Sequence, residues 1–255
     1  FGTIYKAKGE MNKAIDSYSK VFDIAKNLDD KDGMATALSH LGSTYMFCGE
    51  LSKAIECSHK SIKIYKKLNE KLALGDDFLL LSHYYRFMGE HIKSSDYAKK
   101  AYKIFDDFGD NRGVADSLFT IAINFLDQNK LLKALNVYED LIVTFNSLND
   151  KGESGFARLC IGFLHTRMGA FSKAEQILNE SINILKDYKI KWRYAQGYMI
   201  LSHYYLYTFN FDKALELLEI SIKLSEKDNF TLYHCYFLKA HVYFLKNNIR
   251  NCDLN

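Results

Sequence analysis

The 255-residue chain contains no proline and a single tryptophan. Without proline, whatever stops its helices must come from other residues. Long apolar runs are missing too: none approaches the roughly 18 residues that a membrane-spanning helix needs. No secretory leader is visible at the start. The five cysteines (Cys48, Cys57, Cys160, Cys235, Cys252) are odd in number and lack CxxC or zinc spacing, which argues against a disulfide framework or a zinc module. They read as reduced, structural thiols, so the expected compartment is reducing, the cytoplasm. A strong charge imbalance is absent as well. The net charge is only +3, whereas nucleic-acid tracking wants clustered positive charge. Lysines such as Lys60, Lys63, Lys66 and Lys67, or Lys99, Lys100 and Lys103, are explained by solvated outer helix faces. A phosphate-cradling glycine loop, an HExxH helix and a nucleophile elbow are all lacking. Nothing here resembles a catalytic set, and no cofactor is indicated. With 48% hydrophobic and 25% charged residues, the chain nonetheless has the composition of a folded protein.

What the chain does have is repetition. The stretch LSHYY occurs at Leu81–Tyr85 and again at Leu201–Tyr205, three 40-residue steps apart. Stepping by 40, the residue after the leading Leu or its equivalent is always small: Gly2, Gly42, Ser82, Ala122, Gly162 and Ser202, with Ala240 two residues early. Three positions later stand Tyr5, Tyr45, Tyr85, Phe125, His165, Tyr205 and Tyr243. A second small series follows twelve residues behind the first: Ala14, Ala54, Ser94, Ala134, Ala174, Ala214 and Cys252. Periods of 20–50 residues are the signature of stacked repeat architectures.

Between the two small series lies a turn signal: Gly9, Gly49, Gly89, Asn129 and Gly169, with Asn247 in the last copy. Gly and Asn tolerate the left-handed conformation that ends a helix. Phe209 breaks this rule in the sixth copy. The stretches Asp29–Gly33, Gly109–Gly113 and Asn149–Gly152 supply stops between repeats, with Asp and Asn as N-caps and Gly relaxing the backbone. Flanking apolar spacing is helical. Each unit therefore reads as two antiparallel helices that cross closely at the small residues. The class is all-α, a right-handed α-solenoid.

These residues resemble the tetratricopeptide repeat family, with its small residue, aromatic and alanine at the eighth, eleventh and twentieth positions. The resemblance covers the whole chain. The usual repeat is about 34 residues, and the 40-residue spacing is similar to the long-repeat branch that includes kinesin light chain, spindle-orientation adaptors and bacterial regulators. The family's closing proline and early tryptophan are absent. The array is expected to span 1–255, with a partial repeat at 1–28, repeats at about 33–68, 73–108, 113–148, 153–187 and 192–226, and a partial repeat at 230–255. Beginning without Met inside one repeat and ending inside another, the chain reads as a fragment.

The resemblance implies that the first helix of each repeat lines a groove for a protein or peptide partner. Its recognition positions map to Lys6, Ser39, Ser43 and Phe47 at the start, then Asp76, Leu79, His83 and Arg86, and Asp116, Phe119, Ile123 and Asp127. Phe156, Leu159, Phe163 and Arg167 follow, then Met199, His203, Leu206 and Tyr207, and finally Phe237, His241 and Phe244. The expected centre is Phe119, Ile123, Phe163, His203 and Tyr207, with Arg86 and Arg167 as carboxylate anchors. The family's clamp for a C-terminal carboxylate, Lys at the fifth position and Asn at the ninth, is absent. His203, His241 and His234 come near one another, but zinc wants a third or fourth ligand that the sequence does not indicate, so no metal is expected. Two functions fit: a non-catalytic interaction scaffold that holds a peptide or helix, or the sensor of a larger signalling protein.

Overall fold

The computed structural model describes residues 1–188, 191–225 and 229–252. Every element among them is a helix. They are α1 (Gly2–Ala7), α2 (Met11–Asn27), α3 (Lys31–Phe47), α4 (Leu51–Leu68), α5 (Lys71–Phe87), α6 (His91–Asp107) and α7 (Asn111–Asp127). Then come α8 (Leu131–Ser147), α9 (Lys151–Arg167), α10 (Phe171–Asp187), α11 (Lys191–Tyr207), α12 (Phe211–Leu224) and α13 (Asn229–Cys252). The class is all-α, of the α-solenoid type. No helix of the described residues is long and apolar enough to cross a membrane. The helices gather into two compact units, Phe1–Lys130 and Leu131–Asn255.

From α2 to α12 a helix begins every 20 residues, half the spacing of the sequence repeat. The cause is a left-handed residue on the same schedule: Gly9, Asp29, Gly49, Asn69, Gly89, Gly109, Asn129, Asn149, Gly169 and Phe209. Each lets the next amide reach back to the carbonyl five residues earlier. Glu50 N donates to Tyr45 O at 2.9 Å, Asp110 N to Phe105 O at 2.8 Å and Asn210 N to Tyr205 O at 2.8 Å. This closure satisfies carbonyls that a helix end leaves orphaned. Turns between repeats are thus as tight as turns within them. The stretches read as stops give only their first two residues to the turn, and their Gly33, Gly113 and Gly152 lie inside the next helix. Gly113 is needed there for packing: a Cβ on it would fall 2.3 Å from the Phe105 ring. The aspartates cap as expected, Asp30 accepting from Gly33 N, Asp110 from Arg112 N and Gly113 N, and Asp150 from Glu153 N.

The small series marks the helix crossings. Gly42 is buried, and a Cβ there would lie 3.1 Å from the Ala54 carbonyl. Where both crossing residues are serine, each hydroxyl donates to the other's backbone: Ser82 Oγ to Ser94 O and Ser94 Oγ to Ser82 O, both at 2.7 Å. Large side chains fill the space around. The first unit buries Ile62, Tyr65, Phe78, Leu81, Tyr84 and Phe105 together; the second buries Leu206, Leu218, Cys235, Leu238 and Val242. Each such side chain contributes about 1.5–3 kcal/mol by leaving water. Surface decoration is smaller. Lys13, Lys53 and Lys93 each sit over a tyrosine (Tyr5, Tyr45, Tyr85) and ion-pair with Glu10, Glu50 and Glu90. Exposed contacts of this kind are weak beside burial, so they trim the turns and burial drives the fold.

The final copy departs from the expected pattern. α13 runs as one helix through Asn247, where the spacing predicts a turn, and Ala240 is exposed. Cys235, Leu238 and Val242 face the core instead. The side chain of Cys252 lies outside the described residues.

Two substitutions test this architecture. At Gly162 a Cβ would lie 2.7 Å from Leu178 Cγ and Cδ2, so Gly162→Leu should cost about 1–3 kcal/mol or more in urea unfolding; an unchanged midpoint would refute the crossing. Phe209 holds φ 59° with a side chain 69% exposed. Phe209→Asn should stabilise by about 1 kcal/mol by removing left-handed strain, and a loss of stability would refute that reading.

Candidate functional site

Within each unit the odd-numbered helices pack on one another as well as on their even-numbered neighbours: α3 on α5 and α5 on α7, then α9 on α11 and α11 on α13. Side chains on this odd-numbered layer decide what a partner would meet.

In the second unit, Phe163 of α9 is half-buried and meets the His203 ring of α11 edge-on, centroids 5.5 Å apart. Arg167, half-buried one turn further, acts electrostatically on His203. Met199 is half-buried against the α11–α13 core. Tyr207 is 46% exposed, and on α13 Phe237, His241 and Phe244 are exposed. Together these make an aromatic surface with scattered imidazoles. Three side chains expected on this surface are core instead: Phe156, Leu159 and Leu206 are at most 8% exposed. Gly197 brings α11 close over Leu159, since a Cβ there would stand 3.1 Å from Leu159 Cδ1. Leu206 joins the core shared by α11, α12 and α13. Phe156 lies beneath Arg193.

That arginine was not singled out from the sequence. Its guanidinium stacks 4.0 Å from the Phe156 and Trp192 ring centroids and grips Glu153 with two nitrogens, Nε–Oε1 at 3.0 Å. The available signal was register: Glu153 and Arg193 stand 40 residues apart, in the first turns of α9 and α11. A fork-to-fork pair in a largely buried setting fixes the spacing of these two helices.

The first unit carries a more polar version of the layer. Phe119 and Ile123 are half-buried on α7. Arg86 is already engaged, pairing with Asp127 at 3.3 Å and lying over the Phe87 ring. It is therefore a cross-helix tie between α5 and α7 before it is an anchor for anything else. His83 is half-buried beside it. Between α3 and α5, Asp77 is buried and accepts from Ser39 Oγ at 2.7 Å. The sequence reading placed Ser39 and Asp76 on this surface but passed over Asp77.

Electrostatically the layer disfavours added charge. Burial, with Arg86 adding to it, pulls His83 down to about 4. Burial, then the His234, His241 and Arg167 charges, pulls His203 down to about 4. Both rings are neutral near pH 7, able to donate one hydrogen bond and accept another. Burial pushes the Cys160 thiol up to about 12, which makes it a poor nucleophile. Among the described residues no three His, Cys, Asp or Glu side chains group as metal ligands would. A lowered folded-state pKa means the unfolded chain binds the extra proton between pH 6.5 and about 4, so these histidines withdraw stability as pH falls through that window. The His203 ring should stay neutral down to about pH 4 in a carbon-detected NMR titration; a midpoint above 6 would contradict its environment.

Tetratricopeptide repeat family models match residues 1–28 and 33–107. No curated protein sequence matches the chain. Among solved structures, aspartyl phosphate phosphatase F from Bacillus subtilis is similar at TM-score 0.72 and 13% identity, over 94% of this chain and 68% of that one. A Rap protein complexed with Competence and Sporulation Factor gives 0.67 and 11%, over 95% and 72%. The signal-transduction ATPase PH0952 from Pyrococcus horikoshii, which has a tetratricopeptide repeat sensor, gives 0.72 and 20%, over 96% of this chain and 38% of that protein. At these identities the likeness speaks for the fold alone. With the repeat matches, the small-residue crossings and the paired helices in hand, residues 1–28 and 33–107 are tetratricopeptide repeats, and the helices that follow keep their 20-residue spacing as far as α12.

Proposed function

We propose that the odd-numbered helix layer binds a peptide or helix of a partner protein, and that the chain acts as a non-catalytic interaction scaffold. The observation that carries this reading is the aromatic surface of α9, α11 and α13. Phe163, Tyr207, Phe237 and Phe244 leave part or most of their rings in water, and exposed aromatic clusters are what interfaces bury. His203 and the arginine beside it supply polar contacts of the sparse kind that fix an apolar ligand's orientation. Phe119, Ile123 and His83 offer a smaller, mixed surface in the first unit. A second reading, a sensor within a larger signalling protein, is favoured by one fact: PH0952 carries its repeats as a sensor, and this chain spans 38% of its length.

The test uses a peptide selected from a display library against the intact chain. Phe163→Ala should weaken that peptide at least tenfold, in line with about 2 kcal/mol for an aromatic hot spot, while leaving the melting curve nearly unchanged. Val143→Ala, on the even-numbered α8 and 68% exposed, should leave affinity intact. Calorimetry paired with thermal melting reads both. Intact binding with a large loss of stability would make Phe163 a core residue and overturn the groove.

A further inference from the structure

A pocket of about 300 Å³ opens between α3 and α5 in the first unit, with Tyr65 of α4 in its wall. Asp77 forms part of its lining and is 1% exposed. One carboxylate oxygen is occupied: Oδ1 accepts from Ser39 Oγ at 2.7 Å, and that hydroxyl also meets Ser61 Oγ at 2.9 Å. The other, Oδ2, is buried and has no hydrogen-bond partner in the protein.

The charges that act on the Asp77 carboxyl are negative, while Lys6 stands at the far side of the pocket, donating to Ser43 Oγ at 2.5 Å beside His40. Burial pushes the Asp77 carboxyl up to about 6, opposed by the Ser61 and Ser39 hydroxyls and reinforced by Asp76. Burial also raises Asp76, and so do the charges of Asp110 and Asp116. Among the described residues no cation contributes to either carboxyl. A carboxylate oxygen out of water whose lone pairs accept no hydrogen bond is unfavourable unless something positive reaches it, and such an orphan in a folded protein calls for an explanation. The rest of the lining suits a basic side chain. Leu80 and Ala73 are apolar and match an alkyl stem, while the Thr36 and Tyr65 hydroxyls, 3.0 Å apart, offer acceptors near the head. The volume fits one side chain rather than a whole folded partner.

We propose that this pocket receives the guanidinium or ammonium head of an arginine or lysine side chain presented by a peptide, with Asp77 Oδ2 as its acceptor and Asp76 at the rim. The inference rests on the peptide-binding reading only for the source of the basic group. It uses a different unit of the chain from the aromatic surface, so the two stand or fall separately.

The probe is N-acetyl-arginine N-methylamide, titrated into the isotopically labelled full chain and followed by NMR, against the neutral citrulline isostere. The arginine derivative should shift the Thr36, Ser39 and Asp77 amides and bind at least tenfold more tightly than the citrulline derivative. The lysine derivative should shift the same amides. Asp77→Asn keeps an acceptor for Ser39 and removes the charge, and it should abolish the preference for arginine. Equal shifts from arginine and citrulline, no shift from arginine up to its solubility limit, or unchanged arginine binding by a folded Asp77→Asn variant would each overturn the site. The wild-type comparison decides the matter even if that variant does not fold. Arginine binding here alongside unchanged peptide affinity in Phe163→Ala would keep this pocket and discard the aromatic groove.

Discussion

A left-handed residue at 20-residue intervals, from Gly9 to Gly169 and again at Phe209, is the constraint on which the rest of this structure depends. Within each unit it ends a helix within three residues and turns the next one back against it. Because the interval is constant, equivalent side chains return to equivalent faces, and a crossing that works once works repeatedly. Small residues then become obligatory where helices touch, and large ones obligatory around them. Glycine, asparagine and aspartate meet the backbone demand at little cost. Phe209 meets it with a strained backbone and shows that the geometry outranks the local preference of the residue.

The same regularity sorts function from structure. Even-numbered helices carry most of the exposed lysines, among them Lys60, Lys63, Lys99 and Lys103, and offer a solvated face. Odd-numbered helices meet one another, and where their side chains remain partly open the surface is aromatic in the second unit and polar in the first. The buried Glu153–Arg193 pair and the Arg86–Asp127 pair both tie one odd-numbered helix to the next. Charges on this layer are used first for its own assembly. The buried, unpartnered oxygen of Asp77 departs from that use, and this is what makes its pocket informative.

Much of this was legible in the sequence. The small residues, the glycine and asparagine turns and the aspartate caps are local signals, and each maps onto a contact or a φ angle. The finer 20-residue period was also present, since Tyr65, Phe105 and Phe145 continue the aromatic series on the second helices. It is masked in the sequence because Ala25 and Leu185 interrupt it. What resisted reading was depth. Phe156, Leu159 and Leu206 occupy positions that line the groove in a generic repeat, yet here Gly197 and Arg193 bring α11 down onto α9 and cover the first two, while the packing of α12 and α13 covers the third. Asp77 escaped notice because a buried carboxylate looks, in sequence, like any other polar residue of a helix. The last helix misled in the opposite sense: Asn247 has the chemistry of a turn, but α13 continues through it.

The central claim is that ligand contact belongs to the odd-numbered layer while the even-numbered helices serve as scaffold. Hydrogen–deuterium exchange of the full chain, with and without a peptide selected to bind it, tests this most directly. The account predicts slowed exchange in α9, α11 and α13, with α10 and α12 unchanged. Protection concentrated in the even-numbered helices would contradict it.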